Sequence, residues 1–327
     1  MWLVRICHCM RKWLLPVCSV AVAGLIVAQE ADTVLKIDVN VVNVLFSVHD
    51  KRGGLIGNLT KEDFTVAEDG KPQTIKYFTR ETDLPLTLGL LVDVSKSQER
   101  LIGEERQVAS EFFSKVLRQK DMAFLISFGA EAELLQDSTN SAKLLRAGLD
   151  NLRLSGGVGG FHPGPVPTVS QPRGTIMFDA VSLAATEQLR REVGRKAVVL
   201  ITDGVDQGSR YTRSEAIDAA HRADAIIYSI QYIDPMFYSG GFFGGGGDGD
   251  LKKMSEETGG RMFRVDRKHT LDSIFKDIQD EMRSQYAIGY TPTNPARDGA
   301  FRKLEIRVAQ KDLKAQARKG YFAGGEQ

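Results

Sequence analysis

An apolar run, residues 84–92, leads directly into Asp93-Val94-Ser95-Lys96-Ser97. A continuous apolar run of this length, bounded by polar residues, is typical of a strand that is buried on both faces of a parallel sheet. Residues after such a strand lie at its carboxyl end. The sequence therefore predicts that the side chains of Asp93, Ser95 and Ser97 lie together in the loop that follows a central strand.

Two more oxygen-bearing residues occupy similar places further along the chain. Thr175 follows a stretch rich in Gly and Pro, and Asp203 ends a second apolar run, residues 196–202. The carboxyl ends of parallel strands meet in one crevice, so residues far apart in sequence can converge there. Each residue could instead make a turn or cap a helix. Their common order and position favour a shared site.

The middle of the chain alternates between predicted strands and helices. Such alternation predicts an α/β fold with a doubly wound, mostly parallel sheet. The predicted strands after the first are residues 122–128, 197–201 and 225–230, and the predicted helices are residues 98–117, 175–190, 214–224, 250–258 and 270–283.

The first of these helices has a clear polar face. Its residues Glu99, Glu104, Glu105 and Arg106 are predicted to face water, while the apolar residues face the sheet.

Both ends of the chain show the short alternating runs and Gly turns of antiparallel strands. Neither end has enough strands to bury a face alone. We therefore expect the ends to pack into one small antiparallel β module, with the α/β domain inserted between them. The predicted segments are an export signal at 1–29, an N-terminal β segment at 30–82, the α/β domain at 83–284 and a C-terminal β segment at 285–327.

Residues 1–29 combine basic residues with a short apolar stretch and a small-residue exit, as in a cleaved export signal. A retained membrane anchor is the alternative, but the stretch is shorter than a span and contains Pro16. Cleavage near Ala28 or Gln29 would leave no stable membrane span, and the protein would be periplasmic, in the cell envelope or extracellular.

All three cysteines, Cys7, Cys9 and Cys18, lie in this predicted signal, so the mature chain would contain neither disulfides nor thiolates. The whole chain has 43 Lys and Arg against 42 Asp and Glu. This balance gives no indication of nucleic-acid binding, which usually requires a strongly basic face.

The Asp-x-Ser-x-Ser motif, the later Thr and the later Asp together resemble the metal-ion-dependent adhesion site of von Willebrand factor type A domains. The flanking segments 59–70, 285–292 and 317–322 resemble the secreted bacterial branch called the VWFA-related acidobacterial domain. The resemblance implies a metal site formed by Asp93, Ser95, Ser97, Thr175 and Asp203.

Five hard oxygen ligands suit Mg²⁺, with Mn²⁺ or Ca²⁺ as alternatives, and Mg²⁺ takes about six oxygens. The resemblance further implies a protein-binding, adhesion-type module in which an Asp or Glu carboxylate of a partner completes the coordination. The alternatives are an envelope component with a purely structural ion, and a metal-dependent hydrolase.

The sequence contains no arrangement typical of an enzyme. It has no Gly-x-Ser-x-Gly elbow and no phosphate-binding loop, and its five His residues are scattered. One of them, His221, is expected at the surface or half-buried. Aromatic residues in two Gly-rich stretches are candidate contact residues around the ion, although solvated flexible loops are the simpler interpretation; they are Phe161, His162, Phe237, Tyr238, Phe242 and Phe243.

Overall fold

A computed structural model of the chain describes residues 41–81, 84–155, 174–238 and 247–324. The predicted export signal, residues 1–29, lies outside the described residues. So do Phe161, His162, Phe242 and Phe243. In the described part of the chain, no helix is both long enough and apolar enough to cross a membrane.

The central sheet has six strands in the order β10-β9-β8-β5-β6-β7. All neighbours are parallel except β7, which runs antiparallel to β6 at one edge. The innermost strand, β5, is buried along its whole length, as its continuous apolar sequence predicts. The strands are β5 (Leu86–Asp93), β6 (Met122–Phe128), β7 (Ala132–Thr139), β8 (Arg195–Thr202), β9 (Ala225–Gln231) and β10 (Met262–Arg264).

Helices cover both faces of this sheet. One face packs against α1, α2 and α7, and the other against α3, α4 and α6. The predicted doubly wound fold is therefore confirmed. The helices are α1 (Ile102–Val116), α2 (Ala142–Asp150), α3 (Met177–Leu183), α4 (Arg213–Ala223), α5 (Pro235–Tyr238), α6 (Asp248–Thr258) and α7 (Leu271–Arg283).

Strands from both ends of the chain form a small antiparallel module. One sheet has the order β13-β1-β11-β4 and the other β14-β12-β2-β3. The rings of Phe46, Phe64 and Tyr286 pack in the core between them. The strands are β1 (Val42–Asp50), β2 (Phe64–Glu68), β3 (Lys71–Gln73), β4 (Ile75–Glu81), β11 (Gln285–Tyr290), β12 (Phe301–Val308), β13 (Leu313–Ala317) and β14 (Gly320–Phe322).

This arrangement confirms the predicted fold class, an α/β domain inserted in a small antiparallel β module. The segment boundaries at 30–82, 83–284 and 285–327 remain a prediction.

The β module contacts the amino-terminal edge of the central sheet. The Gln316 side chain donates to the backbone oxygen of Gly260, just before β10, at 2.7 Å. The backbone N–H of Lys319 donates to the oxygen of Glu257, near the end of α6, at 2.8 Å. Both contacts therefore lie at the amino-terminal edge of the sheet, opposite the carboxyl ends of its parallel strands.

The structure also corrects several details. Helix α1 begins at Ile102 instead of residue 98, after a short 3₁₀ turn at Lys96–Gln98. Strand β7 and helix α2 were not predicted. Glu105, expected to face water, is 1% exposed, and His221, expected at the surface or half-buried, is 5% exposed.

Candidate metal centre

Asp93 is the last residue of β5, and its side chain is completely buried. One carboxylate oxygen, Oδ1, accepts the backbone N–H of Ser95 at 2.8 Å. The other, Oδ2, accepts the hydroxyl of Thr202 at 2.5 Å. These two bonds fix the orientation of the carboxylate at the carboxyl edge of the sheet.

The hydroxyl oxygens of Ser95 and Ser97 lie 3.0 Å apart, within hydrogen-bond distance. The loop turns sharply here because residues 96–98 form a single 3₁₀ turn, with Ser95 preceding it in an extended conformation. Ser97 is only 8% exposed. The turn therefore directs both hydroxyls to one place beside Asp93.

Thr175 lies in the segment before α3 and is 8% exposed. Its backbone oxygen accepts the N–H of Gln207, in the loop after β8, at 2.9 Å. The next residue, Ile176, donates its N–H to Gly129, in the loop after β6, at 2.9 Å. The backbone of Thr175 is thus held between the loops that follow two strands of the central sheet.

Asp203 follows β8 directly and is 4% exposed. Its Oδ1 accepts the backbone N–H of Val205 at 3.1 Å. The preceding residue, Thr202, donates its hydroxyl to Asp93 and accepts the N–H of Gly204 at 3.1 Å. Thr202 therefore ties the loop after β8 to the end of β5.

The charges at this edge influence one another. Burial raises the pKa of Asp93 to about 6, against hydrogen bonds from Thr202 and Ser95 that lower it, and the negative charge of Asp203 raises it further. Burial also raises the pKa of Glu105 well above its ordinary value, with further contributions from the charges of Asp93 and Glu104. Neither carboxyl oxygen of Glu105 has a hydrogen-bond partner among the described residues.

The chemistry of these groups fits a hard divalent cation. In the described ranges, no Lys, Arg or His forms an ion pair with Asp93, so its buried charge has no cationic partner there. The side chains supply carboxylate and hydroxyl oxygens, which Mg²⁺, Mn²⁺ and Ca²⁺ prefer. The described residues contain no cluster of three or more His, Cys, Asp and Glu suited to a metal. A site here would therefore depend on the Ser and Thr hydroxyls.

Of the candidate contact aromatics, Phe237 and Tyr238 belong to the short helix α5, which follows β9 at the carboxyl edge. Their side chains lie outside the described part of the structure.

Sequence reasoning missed Thr202 and Gln231. Thr202 could have been found from the sequence, because its hydroxyl belongs to the residue directly before the candidate ligand Asp203. Gln231 is fully buried at the end of β9, and its side chain donates to the backbone oxygen of Asp203 at 3.3 Å. Nothing in the local sequence distinguishes this Gln from a surface residue.

No family model and no curated protein matches the chain. Solved structures do match. BatB from Bacteroides thetaiotaomicron has 18% identity and a TM-score of 0.45, and the match covers 60% of this chain and 97% of BatB.

The vWF domain of the pilus tip protein Mfa5 from Porphyromonas gingivalis has 13% identity and a TM-score of 0.45, covering 61% of this chain and 95% of that one. Proximal thread matrix protein 1 of the mussel byssus, with a zinc-occupied MIDAS motif, has 14% identity and a TM-score of 0.46. That match covers 66% of this chain and 50% of the mussel protein.

The assignment of the fold rests on the architecture of the chain itself. The order of the six strands, the helices on both faces and the position of the Asp-x-Ser-x-Ser segment after the innermost strand give one consistent topology. The inserted α/β domain therefore has a doubly wound, mostly parallel sheet, which is the fold class predicted from the sequence.

Proposed function

We propose that this protein is an exported, metal-dependent protein-binding module. Asp93, Ser95, Ser97, Thr175 and Asp203 would hold one Mg²⁺ ion, with Mn²⁺ or Ca²⁺ as possible substitutes. The bound cation would supply the positive charge that attracts an Asp or Glu carboxylate of a partner protein. The observation that carries this proposal is the pair of Ser hydroxyls, 3.0 Å apart, beside the buried carboxylate of Asp93.

The position of the site supports binding of a macromolecule. The described contacts of the β module are at the amino-terminal edge of the sheet, whereas the candidate residues lie in loops at the carboxyl edge. Loops on a rigid sheet commonly carry binding residues. The ionic attraction would be strong because the ligands are largely withdrawn from water.

A metal-dependent hydrolase is the second class of function. It would need a general base beside the reacting water. Among the described histidines, His49 contacts Ser47 and Glu281, His221 packs against Phe301, and His269 hydrogen-bonds to Asp266. None of these described histidine contacts involves a candidate ligand, which supports binding over hydrolysis.

An envelope component with a purely structural ion is the remaining alternative. It differs from the proposal in one measurable way. Chelation would lower the stability of such a component without changing any metal-dependent partner interaction. A pull-down from the envelope fraction of the source organism, with Mg²⁺ and with EDTA, separates the two functions, because the proposed module captures its partner only when Mg²⁺ is present.

Substitution of Asp93 tests the metal site itself. We expect Asp93→Ala to abolish Mg²⁺ binding in isothermal titration calorimetry, since it removes a buried carboxylate from the proposed ligand set. Circular dichroism should show that the variant remains folded. Asp250→Ala, which removes a partly exposed acid in the first turn of α6, is the matched control and should bind as the wild type does. Unchanged affinity in Asp93→Ala would refute the site.

A further inference from the structure

Gln231 connects the candidate metal loop to a pair of charged residues at the surface. It is the last residue of β9 and is completely buried. Its side-chain nitrogen donates to the backbone oxygen of Asp203 at 3.3 Å and also to the carboxylate of Asp248. Its side-chain oxygen accepts the guanidinium Nε of Arg264 at 2.8 Å.

The two charged partners fix the orientation of the Gln231 amide. The anionic side chain of Asp248 lies on the nitrogen side, and the cationic side chain of Arg264 lies on the oxygen side. Rotating the amide by half a turn would place oxygen against carboxylate and nitrogen against guanidinium. Arg264 and Asp248 also pair with each other, so the three side chains form a closed network.

The backbone of the loop after β8 is also held by a close approach of Gly247 to Gly204. Gly204 adopts a φ of +91°, and a Cβ atom placed on Gly247 would lie only 2.1 Å from the carbonyl carbon and oxygen of Gly204. The hydrogen bond from Gln231 holds the residue immediately before this contact. The position of the Asp203 backbone, and with it the carboxylate, is therefore defined from two sides.

We propose that Gln231 is a positioning residue for the metal loop and that Arg264 and Asp248 keep its amide in the orientation that holds Asp203. This inference rests on the proposed function, because it concerns how the chain prepares one ligand of that site. Gln231 itself would not touch the ion. Residues that orient metal ligands typically change metal affinity by about 10- to 100-fold when they are replaced.

The first test is Gln231→Met, which keeps an unbranched side chain of similar length and removes both amide groups. We expect Mg²⁺ affinity in calorimetry to fall about tenfold. Because this position is buried, the substitution could also reduce folding. A second variant at the surface avoids that difficulty.

Arg264→Ala distinguishes positioning from a simple effect of charge. Arg264 is 57% exposed, so its removal should leave the fold intact. If only the electric field mattered, removing a cation near the site would strengthen Mg²⁺ binding. If Arg264 orients Gln231, its removal weakens binding severalfold despite that change in charge.

The matched control is Arg213→Ala. Arg213 pairs with Asp250, two residues from Asp248 on the first turn of α6, and this pair makes no described contact with Gln231. We expect its Mg²⁺ affinity to equal that of the wild type or to exceed it slightly.

Weaker Mg²⁺ binding by Arg264→Ala and Gln231→Met, beside an unaffected Arg213→Ala, supports the proposal. Wild-type or tighter binding by folded Arg264→Ala and Gln231→Met overturns it while leaving the proposed metal site in place. A wild-type protein that binds no Mg²⁺ overturns the proposed function itself, and with it the role of Gln231.

Discussion

His221 shows how burial changes the properties of one side chain in this protein. It lies in the last turn of α4, where its ring packs 5.3 Å from that of Phe301 in the β module. Its Nε2 has no hydrogen-bond partner among the described residues. Burial, and next the positive charge of Arg318, lower the pKa of His221 to about 4, against opposing effects of Glu257 and Asp224. The folded protein therefore holds this histidine neutral.

We expect His221 to make the protein less stable as the pH falls. Well above pH 6.5 the His221 side chain is neutral in both the folded and the unfolded chain, so it causes no loss of stability there. As the pH falls from 6.5 toward 4, His221 becomes protonated in the unfolded chain but stays neutral in the folded chain. The folded state therefore loses stability relative to the unfolded state. The loss attributable to His221 should reach up to about 3 kcal/mol.

The measurement is urea unfolding at pH 7, 6 and 5, with His221→Gln as the comparison. Gln does not titrate, so the loss of stability between pH 7 and pH 5 should be smaller in the variant than in the wild type. The other histidines are the same in both proteins and cancel in the comparison. Equal losses would show that another group causes the pH dependence.

At the scale of single elements, α7 joins the two parts of the molecule. Only Ser284 separates it from β11, which belongs to the β module. The Glu281 carboxylate is completely buried near the end of α7, where it accepts from Ser47 at 3.0 Å and from Arg261 at 3.2 Å. His49 of β1 lies 3.5 Å from the same carboxylate. The helix is thus fixed both to the central sheet and to the module.

The ring of Phe275 in α7 packs against the ring of Phe112 in α1. Phe275 is 2% exposed, and its ring lies 4.3 Å from that of Phe112. We expect Phe275→Ala to lower the free energy of unfolding by about 3–5 kcal/mol, since it removes a large buried ring and leaves a cavity.

Lys276→Ala is the matched control on the neighbouring exposed position. It removes an exposed pair with Asp280 at 3.0 Å and should cost no more than about 0.5 kcal/mol. Both values are measured by chemical denaturation. Similar effects of the two substitutions would mean that the packing of α7 contributes little to stability.

At the scale of the whole molecule, neither end of the chain completes a sheet by itself. Strand β1 pairs with β11 on one side and with β13 on the other, and β2 pairs with β12. These partners all come from the opposite end of the chain. The β module therefore requires the α/β domain to bring its two ends together.

This topology predicts different behaviour for two fragments. Residues 30–82 should not show a cooperative thermal melt, because β1 has none of its partner strands in that fragment. Residues 83–284 contain the whole central sheet and should melt cooperatively, but at lower stability than the full chain. The loss of Ser47 and His49 leaves Glu281 with fewer partners, at a cost of about 1–3 kcal/mol. Circular dichroism checks both, and a cooperative melt of 30–82 would contradict the interleaved module.

The predictable part of the fold came from local patterns. Continuous apolar runs marked the buried strands, and strand β6 has the predicted bounds of Met122–Phe128. The edge strand β7 was missed because its burial is only partial, so that its sequence lacks a continuous apolar run. Glu105 was placed wrongly for a different reason: its charge indicated a polar face, although the helix turns it inward.

For the candidate site, the sequence by itself determined which residues end the central strands. Asp93 and Asp203 follow apolar runs, and this local pattern places each of them at the carboxyl end of a buried strand. Only the tertiary structure decided the contacts between them. The bond from Thr202 to Asp93 spans 109 residues, and the one from Gln231 to Asp203 spans 28. Such contacts depend on which strands lie side by side, and that order is set by long-range packing, which no local pattern specifies.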